Sequence, residues 1–125
     1  MSFSEYMFKL AKTPLGDLIV GIAFGTPIIK LLPVKKIKIT NQVIAFWHPK
    51  PFWQKHIVLV PRKPIKSLTS ISKDDLQYIA EIYKVIQEIV IELKWDKSEY
   101  SVLINGGNRQ EINQIHFHLF SGKEV

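Results

Sequence analysis

Gln114-Ile115-His116-Phe117-His118-Leu119-Phe120 carries two of the chain's four histidines, at i and i+2, inside a run of large apolar residues. Alternate side chains of a β-strand share a face, so a strand here projects Gln114, His116 and His118 together and turns Ile115, Phe117 and Leu119 to a core. The Cα atoms of the two histidines would then lie ~6.5–7 Å apart, close enough for both imidazoles to touch one small anion or one metal ion. No other segment of the sequence carries chemistry so openly.

Working outward, Tyr100–Ile104 reads as the strand before it, and Asn105-Gly-Gly-Asn-Arg109 as a glycine-rich loop between the two. The longest helix precedes them, over about 73–94. Ser72 is its expected N-cap, with Asp75 three residues on. Leu76, Ile79, Tyr83, Ile86, Val90 and Leu93 follow at spacings of three and four, an apolar stripe widened by Ile82, Ile89 and Ile91. Further back, His56-Ile-Val-Leu-Val60 is a continuous apolar run ended by Pro61, hence a strand buried on both faces. Leu31–Ile39 and Val43–Trp47 are strands joined by a Thr40-Asn41 turn. At the N-terminus, Ser4–Lys12 reads as a short helix stopped at Thr13-Pro14, and Leu18–Gly25 as a second. One long helix among hairpin-like connections indicates an α+β fold with a five-stranded, mainly antiparallel sheet and an N-terminal helical segment.

A chain of 125 residues has room for one domain, spanning 1–125, and its 46% hydrophobic content suits a packed core. Cysteine is absent, which excludes disulfides and thiolate metal sites and fits a reducing cytoplasm. The net charge of +6 comes almost wholly from dispersed lysines, without a helix-turn-helix or RNA-binding pattern, so no nucleic acid is expected as partner. The apolar stretch Leu18–Ile29 falls short of the ~20 residues that span a bilayer and is broken by Pro27, so no membrane span is expected.

Three readings of His116 and His118 remain open from the residues alone. Both are structural, or both ligate a metal with His56 or His48 as further ligands, or both face a phosphate. For the third, the glycines allow backbone N–H groups to approach an anion, Asn105 offers an amide, and Arg109 pairs with phosphate bidentately. A neutral imidazole beside that phosphate is a competent nucleophile.

The same residues resemble the histidine triad (HIT) family, whose motif is His-φ-His-φ-His-φ-φ. Here glutamine stands in place of the first histidine, and Ser121-Gly122 follows the motif. Gln110 lies four residues before Gln114, and Asn105 falls where the family has an asparagine before a glycine-rich loop. His56-Ile-Val-Leu-Val-Pro61-Arg-Lys, Ala45-Phe46 and Leu32-Pro-Val-Lys35 resemble the family's central strands and the approach to them. The resemblance covers 32–122, leaving residues 1–30 as an N-terminal extension without a clear counterpart.

The resemblance implies a homodimer that binds a nucleotide or nucleotide conjugate and requires no cofactor, with room left for a divalent metal. It implies hydrolysis or transfer of a nucleoside monophosphate group, with His116 attacking the α-phosphorus to form a nucleotidyl-histidine. His118 and Asn105 would hold phosphate oxygens, and the Gln114 backbone carbonyl would orient the nucleophile. Gly106, Gly107, Arg109, Gln110, His48 and His56 complete the expected nucleotide- and phosphate-binding set. Three features depart from the family pattern. His48 stands where the family has its ribose-binding aspartate, Glu111 where a serine is usual, and the glycine loop is shorter. A HIT-fold nucleotide-binding module with little catalysis is the competing expectation.

Overall fold

The central strand of the sheet shows why the apolar runs of this sequence do not alternate. A computed structural model describes residues 14–25 and 34–125. It contains helix α1 (Pro14–Ala23), strands β1 (Lys36–Ile39), β2 (Val43–Trp47) and β3 (Trp53–Pro61), helix α2 (Leu76–Glu92), and strands β4 (Ser101–Leu103) and β5 (Phe117–Glu124). The strands form one sheet in the order β1-β2-β3-β5-β4, with every neighbouring pair antiparallel. The expected Ser4–Lys12 helix and the Leu31–Pro33 part of the first strand lie outside the described residues.

In β3, Ile57 and Leu59 point to one face and Val58 and Val60 to the other, and all four are buried. On the first face they join Val43, Ala45, Phe117 and Leu119 beneath α2. On the second they join Ile44 and Phe46 beneath Leu15, Leu18, Ile19 and Ile22 of α1. The sheet is therefore covered on both sides, and period-two alternation disappears because both faces are core. Burial of Leu18, Ile19 and Ile22 contributes up to about 1.5–3 kcal/mol each, which holds α1 against the sheet. Among the described residues no helix is long and apolar enough to cross a membrane.

Three boundaries differ from the sequence reading. Helix α1 begins at Pro14, ahead of the expected Leu18, because the first helical position has no hydrogen bond for proline to lose. In α2 the buried face is Ile82, Val85, Ile86, Ile89 and Val90, whereas Leu76, Tyr83, Ile91 and Leu93 are exposed. The helix is apolar around most of its circumference, so two stripes satisfy the same spacing and only the sheet selects between them. A single 3-10 turn, Lys73–Asp75, leads into α2; there Asp75 accepts hydrogen bonds from Ser72 N–H at 2.9 Å and from Ser72 Oγ at 3.1 Å. Asp75 also pairs with Lys63, and these partners hold its carboxyl below the usual range.

The third difference bears on function. β5 begins at Phe117 and continues to Glu124, so Gln114, Ile115 and His116 precede the strand. Ile115 N–H donates to Ile65 O at 2.8 Å, tying this segment to the chain after β3 instead of to a sheet neighbour.

Candidate active site

On the α1 face, apolar residues give way at one end to imidazoles. The register sets Phe46 beside Val58, Val58 beside His118, and His56 beside Phe120. One residue beyond β2, His48 N–H donates to His56 O at 2.8 Å, which extends the ladder and brings a third ring to this end. The His48 and His56 rings stack at 4.4 Å and 26°, His56 and His118 lie 5.0 Å apart, and His116 meets His118 at 5.1 Å. All four histidines are buried.

Hydrogen bonds fix where each proton sits. Phe52 N–H donates to His56 Nδ1 at 3.2 Å, so the His56 proton is on Nε2. That N–H donates to His118 Nδ1 at 2.8 Å, so His118 in turn carries its proton on Nε2. His118 Nε2 is buried and has no partner among the described residues. His116 Nδ1 lies 2.9 Å from the Gln114 carbonyl oxygen, which only accepts; the His116 proton is therefore on Nδ1 and its lone pair on Nε2. The segment thus presents a nucleophilic nitrogen on His116 and a proton donor on His118.

Burial keeps these rings neutral. It pushes the His48 pKa down to about 3 and the His56 pKa to about 4, with neighbouring histidines adding to the effect. His118 lies well below 6.5, first through burial and then through His116, His56 and His48. His116 is also lowered by burial, against the opposing influence of the Gln114 carbonyl.

Asn105 follows β4, whose Leu103 is the cross-strand partner of His118. Its Nδ2 is the second buried donor without a partner among the described residues. An unsatisfied buried donor costs roughly 1–3 kcal/mol, so each of the two is a donor that an acceptor oxygen would satisfy. The chain then forms a 3-10 turn, Gly107–Arg109. Gly107 has φ +57°, in the left-handed region that favours glycine, and open space surrounds the Cα of both Gly106 and Gly107. Arg109 is exposed at the end of this turn.

Two other expected site residues spend their side chains elsewhere. Gln114 Oε1 accepts from Ile65 N–H at 3.0 Å, while its Nε2 donates to Lys63 O at 3.0 Å and Pro61 O at 3.4 Å. Gln110 Nε2 donates to Lys66 O at 2.6 Å and Ile112 O at 3.0 Å. Both amides brace the chain around the histidines. Among the described residues no group of three or more His, Cys, Asp or Glu side chains is arranged to hold a metal ion. The nitrogens of His56 and His118 that face each other are already engaged.

A family model described as the HIT domain matches residues 31–125. The chain belongs to the HIT family. Within that family it is 34% identical over 97 residues to an uncharacterised HIT-like protein of Buchnera aphidicola, covering 76% of this chain and 87% of the other. Over 101 residues it is 27% identical to an adenosine 5′-monophosphoramidase of Candida albicans, covering 74% and 64%. A solved histidine triad protein from Clostridium difficile superposes with a TM-score of 0.70 at 29% identity, covering 78% of this chain and 86% of that one. The HIT chain described here shares their fold, a five-stranded antiparallel sheet with one long helix and an N-terminal helix.

The Phe52 backbone donor, the stacking of Trp53 on Phe120 at 3.7 Å and the bracing by Gln110 and Gln114 leave no pattern in the sequence. Each depends on cross-strand register or on where a loop returns. Trp47 packs on the α2 side, 6.5 Å from Trp95.

Proposed function

We propose that this HIT protein is a nucleotide hydrolase or nucleotidyl transferase that cleaves at the α-phosphate through a nucleotidyl-histidine on His116. The observation that carries this reading is the opposed protonation of neighbouring rings, with a lone pair on His116 Nε2 and an unpartnered buried N–H on His118 Nε2. In the first step His116 Nε2 bonds to phosphorus, and the bond to the leaving group breaks with its electron pair departing on that group, which takes up a proton from solvent and, in a phosphoramidate, leaves as the amine. Water then attacks phosphorus and gives up a proton to solvent, and the P–N electron pair returns to Nε2. His118 Nε2–H and the Asn105 amide donate to the oxygens on which charge gathers, as preorganised donors that need no reorientation. The Gln114 carbonyl stabilises the positive charge that His116 acquires while bonded to phosphorus. The Gln114 side chain is not required for that role.

The amidase named among the relatives makes adenosine 5′-phosphoramidate the first substrate to try. The wild-type protein is expected to release AMP from it, and His116→Ala to abolish the release. No turnover of adenosine, guanosine or uridine phosphoramidates, dinucleoside polyphosphates or nucleoside diphosphates would overturn the catalytic reading. A homodimer belongs to the same proposal: among the described residues β4 has no partner on its outer edge, and it exposes Tyr100 and Val102 beside it.

A further inference from the structure

The two histidines of the segment are held by different parts of the fold. His118 sits in the sheet, between Val58 of β3 and Leu103 of β4. His116 precedes the strand, and its ring follows the Gln114 carbonyl, 2.9 Å from Nδ1. That carbonyl belongs to a segment docked on residues 61–66, the chain leaving β3. Ile115 N–H bonds to Ile65 O, the Gln114 amide to Pro61 O, Lys63 O and Ile65 N–H, and the Gln110 amide to Lys66 O. Two cations hold 61–66 in turn. Arg62 is tied to the β1–β2 turn, its N–H to Gln42 O at 2.7 Å and its Nη1 to Thr40 O at 2.9 Å. Lys63 Nζ pairs with Asp75 at the entry to α2 and lies over the Tyr78 ring, 5.7 Å from its centroid. Surface ion pairs generally hold little, because both side chains wander. Here Asp75 is buried and fixed by the Ser72 N–H and Oγ, which removes that freedom on one side. Pro64 stiffens the step from Lys63 to Ile65: its ring fixes its own φ and keeps Lys63 extended, so a shift of Lys63 is passed to Ile65 instead of absorbed.

We propose that Lys63 and Asp75 are positioning residues for the nucleophile: their ion pair anchors residues 61–66 to α2 and thereby sets the direction of His116 Nε2, while His118 keeps its own support in the sheet. The proposal rests on the catalytic reading above for what His116 does, but the placement of its ring is readable without turnover. Lys63 and Asp75 act through Gln114 and Ile115. Gln114→Ala loosens one tie and leaves the Ile115–Ile65 bond, whereas freeing Lys63 loosens the support beneath all of the ties.

The test compares Lys63→Met, which keeps the stem and removes the charge, with Lys63→Arg, which keeps the charge. Each is measured by steady-state kinetics on adenosine 5′-phosphoramidate and by NMR of the ring nitrogens in ¹⁵N-labelled protein, with His116→Ala assigning the His116 signals. Lys63→Met is expected to lower kcat about tenfold or more at nearly constant KM. It should also shift the His116 ring signals and leave those of His118 in place, and Lys63→Arg should recover most of both effects. Asp75→Asn, which keeps an acceptor for Ser72, should shift His116 the same way to a smaller extent and decides the test if Lys63→Met does not fold. Ser72→Ala weakens the same helix entry and spares the ion pair, so it should lower thermal stability with kcat and the His116 signals unchanged. Unmoved His116 signals in the Lys63 and Asp75 variants, equal displacement of His116 and His118, or no recovery by Lys63→Arg overturns the positioning role. A shift confined to His116 in a protein without turnover would leave that role standing and overturn only the chemistry.

Discussion

His56 Nε2 donates to His118 Nδ1 at 2.8 Å, and that one bond decides which way His118 presents its proton. Because Phe52 N–H occupies the other His56 nitrogen, the direction of donation is set by the backbone. Removing a direct oxyanion donor costs roughly 10²–10³ in kcat, and His118→Ala should fall in that range. His56→Ala should cost less, about tenfold to a hundredfold, since the donor survives but loses its orientation. His56→Gln, whose amide can still donate, should recover part of the loss. Steady-state kinetics on the three variants checks this, with the fall expected in kcat more than in KM.

The Gln114 side chain ties three backbone groups of 61–65 to the histidine segment, while its carbonyl serves His116. Gln114→Ala removes the first function and keeps the second. Urea unfolding should show a loss of roughly 1–3 kcal/mol, the cost of leaving buried backbone groups unpaired. The folded variant should retain turnover through His116, which a side-chain role in the chemistry would not allow.

The buried imidazoles make stability depend on pH. His48 and His56 have pKa values of about 3 and about 4 in the folded chain and about 6.5 unfolded, so between these limits the unfolded state binds more protons. Their contribution is fully present above pH 6.5 and is lost as pH falls, at about 1.4 kcal/mol per unit for each ring. Unfolding free energies at pH 7, 6 and 5 should decline by a few kcal/mol across a range in which most carboxylates are still ionised. A flat profile over that range would show that the rings titrate normally. For the same reason the acid limb of kcat/KM should lie below pH 6.5.

Gly122→Ala should cost about 2 kcal/mol or more, combining left-handed strain with overlap against Gln54. Thermal melts check the loss.

Val102→Lys, on the exposed edge strand, should shift the protein from dimer to monomer in sedimentation experiments. A wild-type protein that sediments as a monomer throughout would remove the dimer from the proposal.

The sheet was legible wherever burial writes a pattern along the chain. The run His56–Val60 announced a strand with core on both faces, and Ser72 with Asp75 marked the entry to the long helix. Which stripe of α2 faces inward was not legible, because Tyr83 and Ile82 are both apolar and only the sheet distinguishes them. At the site, residue identity pointed to His116, His118 and Asn105. It could not show that the Gln114 side chain turns away, since Ile115 bonds to Ile65 and the strand begins later than the apolar alternation suggests. The bulge in β5 was hidden for another reason: it depends on the register that sets Trp53 opposite Glu124 and Lys55 opposite Ser121.

Protein mixed with adenosine 5′-phosphoramidate, quenched in alkaline denaturant and read by intact-mass and peptide mass spectrometry tests the role of His116 most directly. We expect one added AMP on the peptide carrying His116, on a nitrogen and therefore lost in mild acid, and absent from His116→Ala. AMP release with no adduct at any quench time, or undiminished release by His116→Ala, would overturn His116 as the nucleophile.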